Sequence, residues 1–146
     1  MKGQIIIREF ALSDYDLLID LWLQAELPFK PNGRDSKSNM EAELKRGCAS
    51  ILIAEKDKQA IGTVFATHDG RKGWINRLAV IPEFRKQGIG RTLVEKAEQI
   101  LTEKGIGIIA CLIEEYNQTS FETFQKLGYV KFEGTHYLTK RSQPDI

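Results

Sequence analysis

Cysteine is scarce: Cys48 and Cys111 are the two in the chain. They form no Cys-x-x-Cys pair, and no histidine stands at metal-ligand spacing from either. A disulfide scaffold and a structural zinc site are therefore disfavoured, and the usage suits a reducing compartment. Long apolar runs are missing too, so nothing in the sequence reads as a membrane span. The opening stretch, MKGQIIIREF, has an apolar core of three isoleucines. A secretory h-region needs about 7–15 such residues. Neither sign of charge is in excess: 21 basic against 20 acidic residues leave a net charge of +1. That balance creates no global field for nucleic acid, so attraction to a polyanion has to be local. There is no internal repeat and no low-complexity tract. These absences predict a cytoplasmic protein with no nucleic acid, membrane or metal among its partners.

What is present is ordinary globular composition, 42% hydrophobic and 28% charged over 146 residues. That length predicts one domain, 1–146, able to bury a sizeable core. Gln4 to Phe10 is β-rich and reads as a first strand. Ser13, with Asp16 after it, predicts a helix start, and Leu17, Leu18, Leu21 and Trp22 recur at helical spacing. Residues 28–37, PFKPNGRDSK, carry two prolines, an Asn-Gly and mixed charges. They predict a mobile loop with little to hold it down. Ser38 with Glu41 forms a second capping box before a short helix that Gly47 stops. Strands follow at Ile51–Glu55, Ala60–His68 and Trp74–Ile81, joined by short polar turns as in an antiparallel meander.

After Pro82 the period changes. Leu93, Val94, Ala97, Ile100 and Leu101 form one apolar helical stripe, with Gly105 at its end. Ile106 to Ile113 reads as a buried strand, parallel to its neighbour because a helix crosses between them. Asn117 precedes a helix carrying Phe121, Phe124 and Leu127, closed by Gly128. Val130 to Thr139 predicts one or two final strands. The expected fold class is mixed α/β, with element order β-α-α-β-β-β-α-β-α-β(β).

Chemistry is most legible at residues 78–91, LAVIPEFRKQGIGR. A strand ends, the chain turns at Pro82, two glycines follow, and a helix begins. The first turn of that helix leaves unpaired N–H groups with partial positive charge. Arg85, Lys86 and Arg91 add cations, and residues 85–91 contain no acid. Free amides, a dipole end and cations make an anion site suited to phosphate. Glycines before a helix are also common turn chemistry, and surface cations are commonly just solvated. The familiar nucleotide motifs do not fit. No Gly-Lys pair exists for a Walker A loop. GIGIIA at 105–110 matches Gly-x-Gly-x-x-Ala, but it leaves a helix and enters a strand, the reverse of the dinucleotide order.

The run INRLAVIPEFRKQGIGRTLVEKAEQIL, with Arg85, Gly88 and Gly90 as Arg-x-x-Gly-x-Gly, resembles the acyl-CoA motif of the GNAT superfamily of N-acetyltransferases. NQTSFETFQKLGYVKFEG is similar to that superfamily's closing segment. The two motifs stand in the right order, and the element order agrees over essentially the whole chain. The resemblance implies a mostly antiparallel sheet splayed between strands 74–81 and 106–113. It implies acetyl-CoA as co-substrate, no metal, and direct transfer of the acetyl group to a primary amine of a small molecule or protein. Leu78, Ala79 and Val80 would offer backbone groups to the pantetheine arm. The amides of Gln87, Gly88, Ile89, Gly90 and Arg91 would hold the pyrophosphate, helped by Arg85 and Lys86. Asn117 would bind the pantetheine or the sulfur end, although it also reads as a plain helix N-cap. The acceptor pocket would be built from Pro28–Lys37 and Val130–Lys140. A homodimer through the C-terminal strands is suggested by the family alone.

One departure stands out. The family often places a tyrosine as the thiolate's acid in a run like TFQKLGY, and here Phe124 occupies that position. Its ring is expected beside the cofactor or in the core. Tyr116, Tyr129 and Tyr137 are replacements, each equally readable as packing. The base is open among Glu26, His68, Asp69, Glu114 and Glu115, each also readable as a surface or turn residue, with His136 in the final strand region. Tyr116 and Glu115 are the pair singled out for catalysis. Without a competent acid and base, the same fold would serve as an acyl-CoA sensor or interaction module.

Overall fold

The computed structural model describes residues 4–146. Five strands form one sheet in the order β1-β2-β3-β4-β5. β1 is Ile6–Glu9, β2 Ala49–Lys56, β3 Gln59–His68, β4 Lys72–Val80 and β5 Ile108–Ala110. The first three pairings are antiparallel and the β4–β5 pairing is parallel. The helices are α1 (Tyr15–Gln24), α2 (Lys37–Lys45), α3 (Ile89–Glu103) and α4 (Gln118–Lys126). This is the mixed, mostly antiparallel α/β fold expected.

Alternation along β3 explains the two layers. Phe65 packs against Trp22 of α1, with ring centroids 5.7 Å apart. From the other face, Gly62 leaves room for Leu93 and Ile89 of α3, which lie 3.1 and 3.4 Å from where its Cβ would stand. Leu18, Leu21 and Trp22 of α1, and Leu93, Val94, Ala97 and Leu101 of α3, are all buried. Each buried leucine or valine among them contributes about 1.5–3 kcal/mol relative to an exposed one.

The boundaries depart from expectation where a cap or a partner decides them. Ser13 does not cap α1. Asp14 does the local work: its carboxylate accepts from the Ala11 amide at 2.8 Å and pairs with Arg8. That bond to Arg8 holds the Asp14 carboxyl below the usual carboxylate range. α2 starts two residues early, because Ser36 rather than Ser38 accepts from a backbone amide, that of Asn39, at 3.2 Å. β5 is three residues long rather than eight. The expected final strands do not form: among the described residues, none beyond Ala110 lies in a strand. A strand needs a neighbour, and β5 offers a short edge with no strand beyond it. Val130, Phe132, Tyr137 and Leu138 remain exposed.

Candidate functional site

β4 pairs with β5 only through Lys72–Trp74 and Ile108–Ala110. Beyond Trp74 and Ala110 the two strands have no mutual register, so the sheet is splayed there as the family resemblance implied. A cavity of about 270 Å³ sits at the fork, lined by Trp74, Ile75, Asn76, Leu112 and Tyr137.

β4 carries a bulge just past this fork. Thr63 faces Ala79 and Phe65 faces Asn76, so Val64 stands opposite both Arg77 and Leu78. Arg77 has φ of 57°, a left-handed conformation that is uncommon outside glycine. Arg77 and its neighbour Leu78 point to opposite faces of the sheet. Arg77 stacks over the Trp22 ring, 4.7 Å from its centroid. Leu78 and Val80 turn toward Gly90, where a Cβ would meet them at 3.8 and 3.9 Å.

The chain then leaves β4 through a short 3-10 turn, Pro82–Phe84, and reaches α3. Gly88 caps α3 with φ of 80°, a conformation glycine adopts without strain. No side chain caps this helix, and its first turn has no acid. The amides of Ile89, Gly90 and Arg91 therefore lack intrahelical acceptors. Lys86, Gln87 and Gly88 lie exposed ahead of them. Arg85 points elsewhere: its Nε donates to the Val80 carbonyl at 2.8 Å and its Nη2 to that of Ala25 at 3.3 Å. It braces the loop from behind. Arg91 lies 3.7 Å from Glu95 on the helix surface.

The remaining sequence candidates divide. Asn117 is the N-cap of α4, its Oδ1 accepting from Ser120 N at 3.2 Å. Phe124 is buried and meets Tyr129 edge-on, centroids 4.9 Å apart. Tyr129 donates its hydroxyl to Glu98 at 2.7 Å. Burial, reinforced by Glu98, pushes its phenol far above the usual range, so it is a poor proton donor. Tyr116 and Glu115 are both exposed on the turn before α4. Tyr137 is the tyrosine that lines the fork cavity. His68 and Asp69 are held in the β3–β4 turn: His68 Nδ1 accepts from Gly70 N, and Asp69 Oδ1 accepts from the amides of Arg71 and Lys72. Those two amides lower the Asp69 carboxyl below its ordinary value. Burial pushes the Cys111 thiol up to about 11, which leaves it protonated and inert near neutrality. Glu114 and His136 are exposed, and Glu26 sits at φ of 59° just past α1.

Sequence reasoning missed the contacts that hold residues 28–37. The 28–37 loop is tied down rather than loose. Asp35, only 4% exposed, pairs with Arg77 and accepts from Lys30 N at 2.7 Å. Arg77 also donates to the Pro28 carbonyl. Tyr15 donates to the Asp35 carbonyl at 2.7 Å, and Asn39 to that of Gly33 at 2.6 Å. Behind the loop, Glu43 of α2 is half-buried, and burial raises its carboxyl above the ordinary value, with Arg46 opposing. Asp35 and Arg77 add smaller effects of opposite sign on the same group. No local sequence signal marks Glu43, which reads as one more acid on a polar helix.

The family model described as the acetyltransferase (GNAT) family matches residues 15–129. Among solved structures, AAC(6')-Iy in complex with the bisubstrate analogue CoA-S-monomethyl-acetylneamine aligns with a TM-score of 0.80 at 22% identity, covering 95% of this chain and 99% of that one. The PaiA N-acetyltransferase of Thermoplasma acidophilum, in complex with coenzyme A, aligns at 0.77 and 25% identity over 91% and 93% of the two chains. A Clostridium acetobutylicum structure with acetyl-CoA aligns at 0.77 and 19% identity over 93% and 96%. No helix among the described residues is long and apolar enough to cross a membrane.

Proposed function

The chain belongs to the GNAT family of N-acetyltransferases, and from that premise we propose that it moves the acetyl group of acetyl-CoA directly onto a primary amine of a small molecule or protein in the cytoplasm. The observation that carries this reading is the fork between β4 and β5 opening toward the uncapped start of α3. A thioester arm laid in the fork runs along Leu78, Ala79 and Val80, and its pyrophosphate meets the amides of Gln87 to Arg91. Lys86 adds positive charge from the exposed side, and Arg85 keeps the loop in shape. Asn117, the cap of α4, is the remaining cofactor contact in this reading, and Phe124 is a packing residue.

The acceptor approaches over the bulge, between the 28–35 loop and α2. An ammonium has no lone pair, so the amine must first lose a proton. Glu43, which neighbours the Asp35–Arg77 pair at the bulge and whose carboxyl is raised above its ordinary value by burial, suits that step as base. The neutral nitrogen then attacks the thioester carbonyl. A C–N bond forms, the C–S bond breaks, and the thiolate leaves with the electron pair. Tyr137, which lines the cavity, is the acid of this reading, with water as the alternative donor. Bulge amides stabilise the oxyanion as it develops. No residue becomes acylated. A homodimer belongs to the same reading, since Val130, Phe132 and Leu138 offer apolar side chains to a second copy.

The test is thiol release from acetyl-CoA with a panel of amines, amino acids, polyamines, aminoglycosides and peptides. The expected result is thiol release that requires one class of amine and rises with pH. If CoA binds and no amine releases thiol at any pH, the chain is an acyl-CoA-binding module instead.

A further inference from the structure

Arg77 occupies an unusual place. It is a non-glycine residue in the left-handed region, at the bulge of the strand that borders the fork. Its side chain is largely buried, turned away from the fork, and bound three ways. It pairs with the carboxylate of Asp35, donates to the carbonyl of Pro28, and lies over the Trp22 ring. Trp22 in turn touches Phe29 of the same loop at 5.7 Å. A strained backbone conformation persists only where its surroundings over-determine it, and here the surroundings are the acceptor-side loop. The loop's shape and the bulge's shape are thus fixed by the same guanidinium.

We propose that Arg77 is a positioning residue for acyl transfer: by locking residues 28–35 onto the β4 bulge it holds the backbone of Leu78–Val80 in the conformation that receives the thioester arm. The proposal rests on the reading above that this backbone receives that arm. It predicts a split between the two ends of the cofactor. The nucleotide end sits on the loop before α3, which Arg77 does not touch. The acetyl-pantetheine end depends on the bulge. Preorganised backbone donors bind without an ordering cost, so loosening the bulge weakens one end and spares the other.

The experiment compares the wild-type chain with Arg77→Lys and Asp35→Asn. Arg77→Lys keeps a cation near Trp22 but loses the planar fork, and Asp35→Asn keeps the shape of the carboxylate but loses its charge. Calorimetry measures binding of acetyl-CoA and of adenosine 3′,5′-bisphosphate, which lacks the pantetheine arm. Hydrogen exchange follows amides in 28–36, 78–80 and α3. The expected result is exchange about tenfold faster in 28–36 and 78–80 with α3 unchanged. Acetyl-CoA affinity should fall about five- to tenfold while bisphosphate affinity stays within about twofold. A freed loop with unchanged acetyl-CoA affinity overturns the proposal. So does equal weakening of both ligands with faster exchange in α3, which marks general loss of structure. Wild-type protein that binds the bisphosphate and acetyl-CoA equally well contradicts the assignment of Leu78–Val80 itself, a separate failure seen before any variant is made.

Discussion

The proposed donor and acceptor sides of β4 are built by different means. On the side proposed for the donor, a strand, a short turn, Gly88 and the start of α3 follow one another in sequence, and the groups on offer are backbone amides. On the acceptor side, the parts come from far apart. Asp35 meets Arg77 across 42 positions, Tyr15 reaches Asp35, and Asp145 approaches Lys30 at 3.4 Å. A site made of consecutive backbone can be read from local sequence. A site made of side-chain pairs between remote segments cannot, because each partner alone looks like a surface charge.

The largest expected effect breaks the donor side alone. Gly88→Glu places a side chain at φ of 80° and a negative charge beside the helix start. CoA binding should fall by at least about 100-fold, more than 2.7 kcal/mol, while the 28–35 loop keeps its exchange protection. Unchanged CoA affinity by calorimetry would move the pyrophosphate elsewhere.

Glu43→Gln breaks the acceptor side alone. Loss of a general base should lower kcat by about 10²–10⁴ with CoA affinity intact. In the wild-type chain the rate should rise with pH through a pKa above the ordinary carboxylate range, because the base works only when ionised and burial delays that ionisation. The stability sign is opposite. A carboxyl whose folded pKa is raised stabilises the fold least above that pKa, so Glu43→Gln should melt no lower than wild type at pH 8. A lower melting temperature there, or an unaltered kcat, removes Glu43 from the base role.

Arg85→Ala tests whether the donor loop needs its brace. Removing the guanidinium leaves the Val80 and Ala25 carbonyls without that donor. CoA affinity should drop by about 1.5–3 kcal/mol. A brace predicts faster hydrogen exchange in residues 81–88 alongside the loss; the same loss with unchanged exchange there would show a direct phosphate contact instead.

Phe124→Tyr should not speed turnover. Phe124 is 4% exposed and packed on Tyr129, so the new hydroxyl enters the core and costs about 1–3 kcal/mol of stability. A faster rate would place the ring at the leaving sulfur. The smallest contrast is between two serines. Ser36→Ala should cost about 1 kcal/mol of stability and Ser38→Ala about 0.5 or less, measured by urea unfolding, because only Ser36 caps α2.

Those serines also show where sequence reading stops. Ser36-x-x-Asn39 and Ser38-x-x-Glu41 are both plausible starts, and the Asn39 bond to Gly33 in the preceding loop favours the earlier one. The apolar stripe of α3 and the glycines that end α3 and α4 were legible because each is a local pattern. The expected final strands fail to form for the converse reason. Val130 to Thr139 has β-rich composition, but pairing needs an edge, and β5 ends at Ala110. The 28–37 loop has the composition of a mobile segment, and nothing in its own residues announces Arg77.

The central claim is that acetyl-CoA lies in the β4–β5 fork with its pyrophosphate on the start of α3. The most direct measurement is a titration of the ¹⁵N-labelled protein with acetyl-CoA, following every backbone amide. The account predicts the largest shifts at residues 86–91 and 78–80, with smaller ones at the cavity residues Trp74 and Leu112. Largest shifts on α1 or β1, with 86–91 unmoved at saturation, would contradict it.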